Sequence, residues 1–160
     1  MGVLKSKHTQ LFIAIAAAEV IKVTRLRSVG FPDGQASEID ISDLDDDWDQ
    51  FVAGRKATGS TTIEINYDAV DHEKIEELHT TGAVVDFLVT APASETAGVE
   101  KPVAVNGVIT PPDDVVSKQF EGFVQNFAVQ VADNDIWKAT ITIRGSGSGS
   151  GAVSTHRPAP

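Results

Sequence analysis

Residues 61–67 read TTIEINY. In an extended chain Thr61, Ile63, Ile65 and Tyr67 point one way and Thr62, Glu64 and Asn66 the other, because successive strand side chains alternate between faces. An apolar row backed by a polar row is the pattern of a strand with one buried face. WKATITIR at 137–144 repeats it, with Trp137, Ala139, Ile141 and Ile143 set against Lys138, Thr140, Thr142 and Arg144. Ala83, Val85, Phe87 and Val89 form a third row. Phe123, Phe127, Val129 and Val131 form a fourth, interrupted at Gln125. Leu11, Ile13 and Ile15 alternate as well. The β-branched stretch from Val20 to Leu26 reads as one more strand. Ile39 and Ile41 are expected to point inward from a short strand whose outward residues are Glu38 and Asp40.

One helix interrupts this pattern. DHEKIEELH, residues 71–79, is rich in helix formers. Asp71 is placed to cap its start, acidic residues fill the first turn, and Gly82 lies just past its end. Ile75 and Leu78 make a narrow buried stripe. Residues 91–114 hold Pro92, Pro102, Pro111 and Pro112, with VAVNGVIT inside. Asn106-Gly107 between β-branched residues signals a two-residue hairpin turn, which needs positive φ at both centres. This reads as a projecting arm. From Gly145 the chain runs GSGSGSGAVSTHRPAP, a flexible low-complexity tail. The fold class is therefore mainly β: a β-sandwich or barrel of about seven or eight strands, one flanking α-helix and long projecting loops. Its organisation is an N-terminal arm at 1–10, a single domain at 11–145 and a tail at 146–160.

Composition narrows the function. The 160 residues carry a net charge of −10. The 13 basic residues are scattered, which argues against a dedicated nucleic-acid binder. With no cysteine there is neither a disulfide framework nor a thiolate metal site. The apolar run Leu11 to Ile21 is short of the roughly 20 residues of a spanning helix and contains Glu19. It follows Lys5 and Lys7, so a signal peptide is weighed, but its alternation suits a strand better.

The acidic stretch EIDISDLDDDWDQ, residues 38–50, holds seven carboxylates in 13 positions. Asp43, Asp45 and Asp47 have the steps of a calcium loop. Trp48 then stands where the sharp turn needs Gly, and Gly54 where the bidentate Glu belongs. A solvated acidic surface is the simpler reading. Nothing marks two carboxylates as a catalytic pair. His72, Glu76 and His79 share a helix face without forming HExxH, and read as exposed helix residues. Gly54 and Gly59 have phosphate-loop spacing, but Ser60 and Thr61 follow in place of Lys and Ser/Thr, so the glycines read as turn residues. Trp48 and Trp137 read as packing residues, although Trp48 lies in a polar loop and suits docking. No cofactor, metal site or catalytic constellation is expected.

The order of features does carry a resemblance. VTRLRSVGFPDGQASEIDISDLD is followed by WDQFVAGRKATGSTTIEINYD, the helix, a strand, a long loop, and then FEGFVQNFAVQ and WKATITIRGSG. Over residues 11–145 this resembles the tail tube protein (major tail protein) of long, non-contractile bacteriophage tails. The carrying residues are Glu38-Ile39-Asp40, Asp43, Phe51, Gly54, Gly59, Asn66-Tyr67 and the final strands through Gly145. The family is related to the tube proteins of contractile tails and type VI secretion. Many relatives carry a further immunoglobulin-like domain where this chain has its Gly-Ser tail.

The resemblance implies six copies closing into a ring and rings stacking into a hollow tube. Such a tube holds the tape measure protein and later conducts double-stranded DNA without binding it. Tail terminator and distal tail proteins are further implied partners, and no membrane is. The implied location is the virion tail, after assembly in the host cytoplasm. Glu38 and Asp40 become candidates for the lumen wall or a subunit seam. Asp43, Asp45, Asp46, Asp47, Trp48, Asp49, Phe51, Gly54 and Gly59 become candidates for a loop reaching the next subunit or ring. A gene transfer agent, contractile tail or secretion tube would use nearly the same subunit. A calcium- or carbohydrate-binding β-sandwich module and a carboxylate-dependent hydrolase are the readings from other classes.

Overall fold

The computed structural model describes residues 9–32, 34–91, 102–111, 116–146 and 154–156. Most of the expected N-terminal arm, parts of the Pro-rich segment and most of the tail lie outside these residues.

The chain builds β1 (Gln10–Ala14), β2 (Val20–Lys22), β3 (Leu26–Val29), β4 (Gly34–Asp40), β5 (Phe51–Thr58) and β6 (Ser60–Asn66). Helix α1 (Glu73–Thr81) follows. The remaining strands are β7 (Val85–Ala91), β8 (Ala104–Val105), β9 (Val108–Ile109), β10 (Val116–Gln130), β11 (Lys138–Gly145) and β12 (Ser154–His156). The main sheet is antiparallel in the order β2-β1-β7-β10-β11-β6-β3, with β12 added beside β10. β4–β5 and β8–β9 are separate two-stranded sheets. The mainly β architecture with one flanking helix is as expected.

The sheet is rolled. Phe31, just past edge strand β3, meets Phe120 on β10 edge-to-face at 6.4 Å, although β3 and β10 lie three places apart. The inner face forms one core of Leu11, Ile63, Phe87, Phe120 and Ile141 among others, closed by Ile75 and Leu78 of α1. The rows of β6 and β11 bury alternate residues as their sequences require. β7 is different. Phe87 and Val89 face the core, but Asp86, Leu88 and Thr90 on its other side are buried too. The β8–β9 hairpin accounts for this. Ala104 and Ile109 pack on Phe12, Ala14, Val20 and Leu88, so β1 and β7 are covered on both faces. Asn106 and Gly107 take positive φ, +52° and +81°, at the tight turn. The hairpin does not project. It lies on the sheet, with Gly107 N–H donating to Ala17 O at 2.9 Å.

Several local expectations change. Val20 to Leu26 is not one strand: Arg25 takes φ +58° and divides β2 from β3. The fourth apolar row breaks because a bulge shifts the β10–β11 register between Val124 and Asn126. One extra residue moves later side chains to the other face. The core-facing residues are therefore Phe120, Val124 and Phe127. Helix α1 starts later than expected, with His72 at its N-cap and no side-chain cap. Asp71 does not cap. Asp68 Oδ1 instead accepts from Val70 N–H and Asp71 N–H, which holds its carboxyl below the usual range. Gly82 ends the helix in the left-handed region, its N–H donating to Leu78 O. His72 is fully buried, not exposed. Its Nε2 donates to Thr24 O at 2.9 Å while its Nδ1 accepts from Asp68 N–H at 3.0 Å, so it ties the helix start to the β2–β3 connection. Ser154–His156 pair with Ser117–Gln119, where a free tail was expected.

Asp86 fixes the hairpin. Its Oδ2 accepts from Ile109 N–H at 2.8 Å and from Gln119 Nε2, which also donates to Ile109 O at 2.8 Å. Burial pushes this carboxyl above its ordinary value of 3.8, against the pull of those donors. The folded state thus binds the Asp86 proton more tightly than the unfolded chain does. The contribution of this group is most favourable below its ordinary value and declines as pH rises through the raised one. Asp86→Asn removes that slope. The parent chain is expected to lose stability relative to Asp86→Asn as pH rises above the ordinary carboxyl value of 3.8, measured by urea unfolding of both proteins. Parallel curves would exclude this role.

Candidate assembly surface

The acidic stretch lies on the β4–β5 ribbon. Ile39 stands opposite Val52, and Asp40 opposite Phe51. Directly opposed residues share a face, so Ile39, Ile41 and Val52 form one face while Glu38, Asp40 and Phe51 form the other. Neither face is covered. Ile39, Ile41, Phe51 and Val52 are all about half exposed. The expectation that Ile39 and Ile41 point into the core is therefore overturned. Their alternation is real, but the ribbon leaves the main sheet and no strand or helix among the described residues lies over it.

Glycines shape the ribbon. Gly54 sits inside β5, not in a turn. A Cβ there would come within 2.4 Å of Ser37 Oγ and 3.2 Å of Ile39 Cδ1, so its absence lets Ser37 and Ile39 lie across the partner strand. β4 bulges here, between Ala36 and Glu38. Gly59 is the single residue between β5 and β6, and its carbonyl accepts from Gly145 N–H at 2.9 Å.

The tip, residues 41–50, is tied by hydrogen bonds. Ile41 N–H donates to Gln50 O, Ser42 Oγ accepts from Gln50 N–H at 2.6 Å, and Ser42 N–H donates to Asp40 Oδ1 at 2.8 Å. The last bond holds the Asp40 carboxyl below its usual range. Asp46 accepts from Asp43 N–H and from Gln50 Nε2, and Asp43 accepts from Asp45 N–H. These bonds use the Asp43 and Asp46 side chains to build turns. Among the described residues none of the tip carboxylates has an ion-pair partner, and no three His, Asp or Glu side chains converge on a point that could hold a metal. Leu44 and Trp48 are the most exposed large apolar side chains described, at 104% and 84%. Trp48 is not a packing residue, whereas Trp137 stacks on Tyr67 at 6.1 Å.

A second feature lies across the roll of the sheet. A groove of about 450 Å³ runs between β3 and the paired β7 and β10. Leu26, Val29, Phe31, Val89 and Val116 make it apolar, and the exposed Arg27 and Lys118 add two positive charges. Lys118 Nζ lies 5.0 Å from the centre of the Phe31 ring. Ser117 also lines the groove. Its buried Oγ, which lacks a hydrogen-bond partner among the described residues, lies with the opposed Thr90 on the other face of the sheet.

This rolled antiparallel sheet with a helix on its flank and an uncovered ribbon now meets the comparison with known families. Residues 2–155 match the family described as "Phage tail tube, TTP, lambda-like". The chain belongs to that family. It is a structural protein of the tail tube, a component of the virion tail. No curated protein matches it. Solved structures share the fold at low identity. The tail of an empty gene transfer agent particle, refined with C6 symmetry, is 15% identical with a TM-score of 0.63, covering 96% of this chain and 99% of that one. The SPP1 tail tube is 9% identical with a TM-score of 0.67, covering 96% of this chain and 79% of that one. The sheath–tube complex of an extracellular contractile injection system is 14% identical with a TM-score of 0.64, covering 96% and 91%. No helix among the described residues of the tail tube protein is long and apolar enough to cross a membrane.

Sequence reasoning found the ribbon's residues but not its setting, and it missed the groove. Arg27 and Lys118 come from distant parts of the chain, and nothing in their local sequence marks them as neighbours. Because the ribbon's apolar face is bare in one copy, replacing Ile39 or Val52 with Asn is expected to change monomer stability by no more than about 0.5 kcal/mol. Ile63→Ala in the core is expected to cost about 2–5 kcal/mol. Denaturant unfolding of the dilute monomer compares them.

Proposed function

We propose that six copies of this tail tube protein close into a ring and that rings stack into the hollow tail tube through which the genome leaves the virion. The observation that carries the reading is an amphipathic ribbon left uncovered on both faces in a chain of the tail tube family. The sixfold ring is supported by the C6 symmetry of the structurally similar gene transfer agent tail. Residues 11–145 carry the tube domain in this reading. β2 and β3 are the free edges of the main sheet, and ring closure gives such edges a partner.

The ribbon divides its work. Its face of Ile39, Ile41 and Val52, together with Trp48 at the tip, meets a neighbouring subunit or ring, and Phe51 anchors from the other face. Glu38 and Asp40 lie on the opposite face, at the lumen wall or a subunit seam. Six copies at −10 each place −60 on a ring. Ions screen that charge beyond about 8 Å at physiological salt, so residues at the wall dominate what DNA meets. A wall without clustered Lys and Arg gives phosphates nothing to hold, and transit stays free. The tape measure protein during assembly, and the tail terminator and distal tail proteins at the tube ends, are the remaining partners. The work is structural, with no catalytic step. Contractile and gene transfer agent tubes share the fold, but no feature of this chain favours them.

Concentrated protein is expected to form hollow rods in negative-stain microscopy. Replacing Asp45, Asp46 and Asp47 with Asn should cut polymer yield by about tenfold, equivalent to roughly 1.4 kcal/mol per contact formed, while shifting monomer unfolding far less. Equal yields from variant and parent would remove the acidic tip from assembly.

A further inference from the structure

We propose that the groove between β3 and the β7–β10 pair is the receptor for the ribbon tip of a second copy, with Trp48 as the side chain that fills it. The proposal rests on the ring-and-tube reading and goes beyond it by naming both halves of one contact.

Two independent properties of groove and tip match. The first is polarity of shape. The groove is an apolar concavity of about 450 Å³, and the tip presents Leu44 and Trp48 with almost nothing of their own chain against them. Large aromatic side chains in desolvated pockets dominate the energetics of protein interfaces. An indole entering the groove supplies its apolar filling. The second is charge. Arg27 and Lys118 flank the groove, whereas Asp45, Asp47 and Asp49 flank Trp48 and lack ion-pair partners among the described residues. Seating the indole therefore sets carboxylates beside cations around an apolar centre, the arrangement of a hydrophobic contact with a polar rim.

The tip is also pre-shaped. The bonds through Asp43, Asp46, Ser42 and Gln50 fix its turns before any partner arrives, which lowers the ordering cost of docking. A second copy is the occupant that the charges select, because this chain itself offers the complementary acidic tip.

The chain has no cysteine, so single cysteines report contacts cleanly. Leu44→Cys and Ser28→Cys proteins, each first shown to unfold like the parent, are mixed under assembly conditions and oxidised. Disulfide-linked dimers are expected in the mixture and not from either variant alone. Separately, Arg27→Glu with Lys118→Glu should reduce pelletable polymer by about tenfold, and Asp45→Lys with Asp47→Lys in the same chain should restore it. Rods that form normally from the charge-reversed groove, with no mixed dimer, would overturn the groove as receptor and leave the tube intact. Ser28→Cys captured instead by Lys5→Cys within one chain would assign the groove to the chain's own first residues and overturn the docking. No rods from the parent at any concentration would overturn the tube reading itself.

Discussion

A strand buried on both faces has to be covered twice, and β7 imposes that requirement on this fold. Phe87 and Val89 on one side need a core, while Leu88 and Thr90 on the other need a cover. The rolled sheet and α1 supply the first. The β8–β9 hairpin supplies the second with only two short strands, which is why it must be pinned through Asp86 and Gln119. The pin places a carboxylate in a buried position whose ionisation is disfavoured by desolvation. That cost is accepted because the alternative is Leu88 and Phe12 open to water.

Once the two faces of β7 and β1 are closed, the described residues leave no layer for the ribbon. β4 and β5 pair only with each other. A lone two-stranded ribbon is marginal in water, and here it is held by its bulge, by Gly54 under Ile39 and by the bonded tip. Ile39, Ile41 and Val52 would be an aggregation hazard in an ordinary monomer. In the proposed ring and tube the same residues become interface, and the seven carboxylates around them keep premature contacts weak.

This contrast shows what a sequence carries and what it does not. TTIEINY and KATITIRG could be read because each strand's buried face is buried by its own chain, and the alternation states which face that is. Asn106-Gly107 and Gly82 could be read because positive φ leaves a residue-type mark. Arg25 and Asn134 adopt positive φ without being glycine, so the break at Arg25 left no such mark. Ile39 and Ile41 alternate like any inward row. Periodicity reports an apolar face but not whether the layer that covers it belongs to the same molecule. His72 looked exposed because its partners, Thr24 O and Asp68 N–H, are backbone groups, and backbone groups are invisible in side-chain patterns. A one-residue bulge at Gln125 was enough to bring Phe127 into the row that Phe120 and Val124 share, while Phe123, before the bulge, stays on the other face.

The electrostatics of assembly follow from two length scales. Every copy is strongly acidic, so copies repel one another as wholes, over distances at which salt screens effectively. In the proposed docking, tip and groove carry opposite local charges that meet at contact, inside the screening length, around an apolar centre that excludes water. Added salt therefore weakens the long-range repulsion more than the short-range match. Solubility of the free subunit and cohesion of the tube are set by the same residues acting at different distances. For the proposed tube, an acidic surface with a small basic groove reconciles a monomer that stays apart, a polymer that holds together, and a bore that would offer the genome no cationic grip.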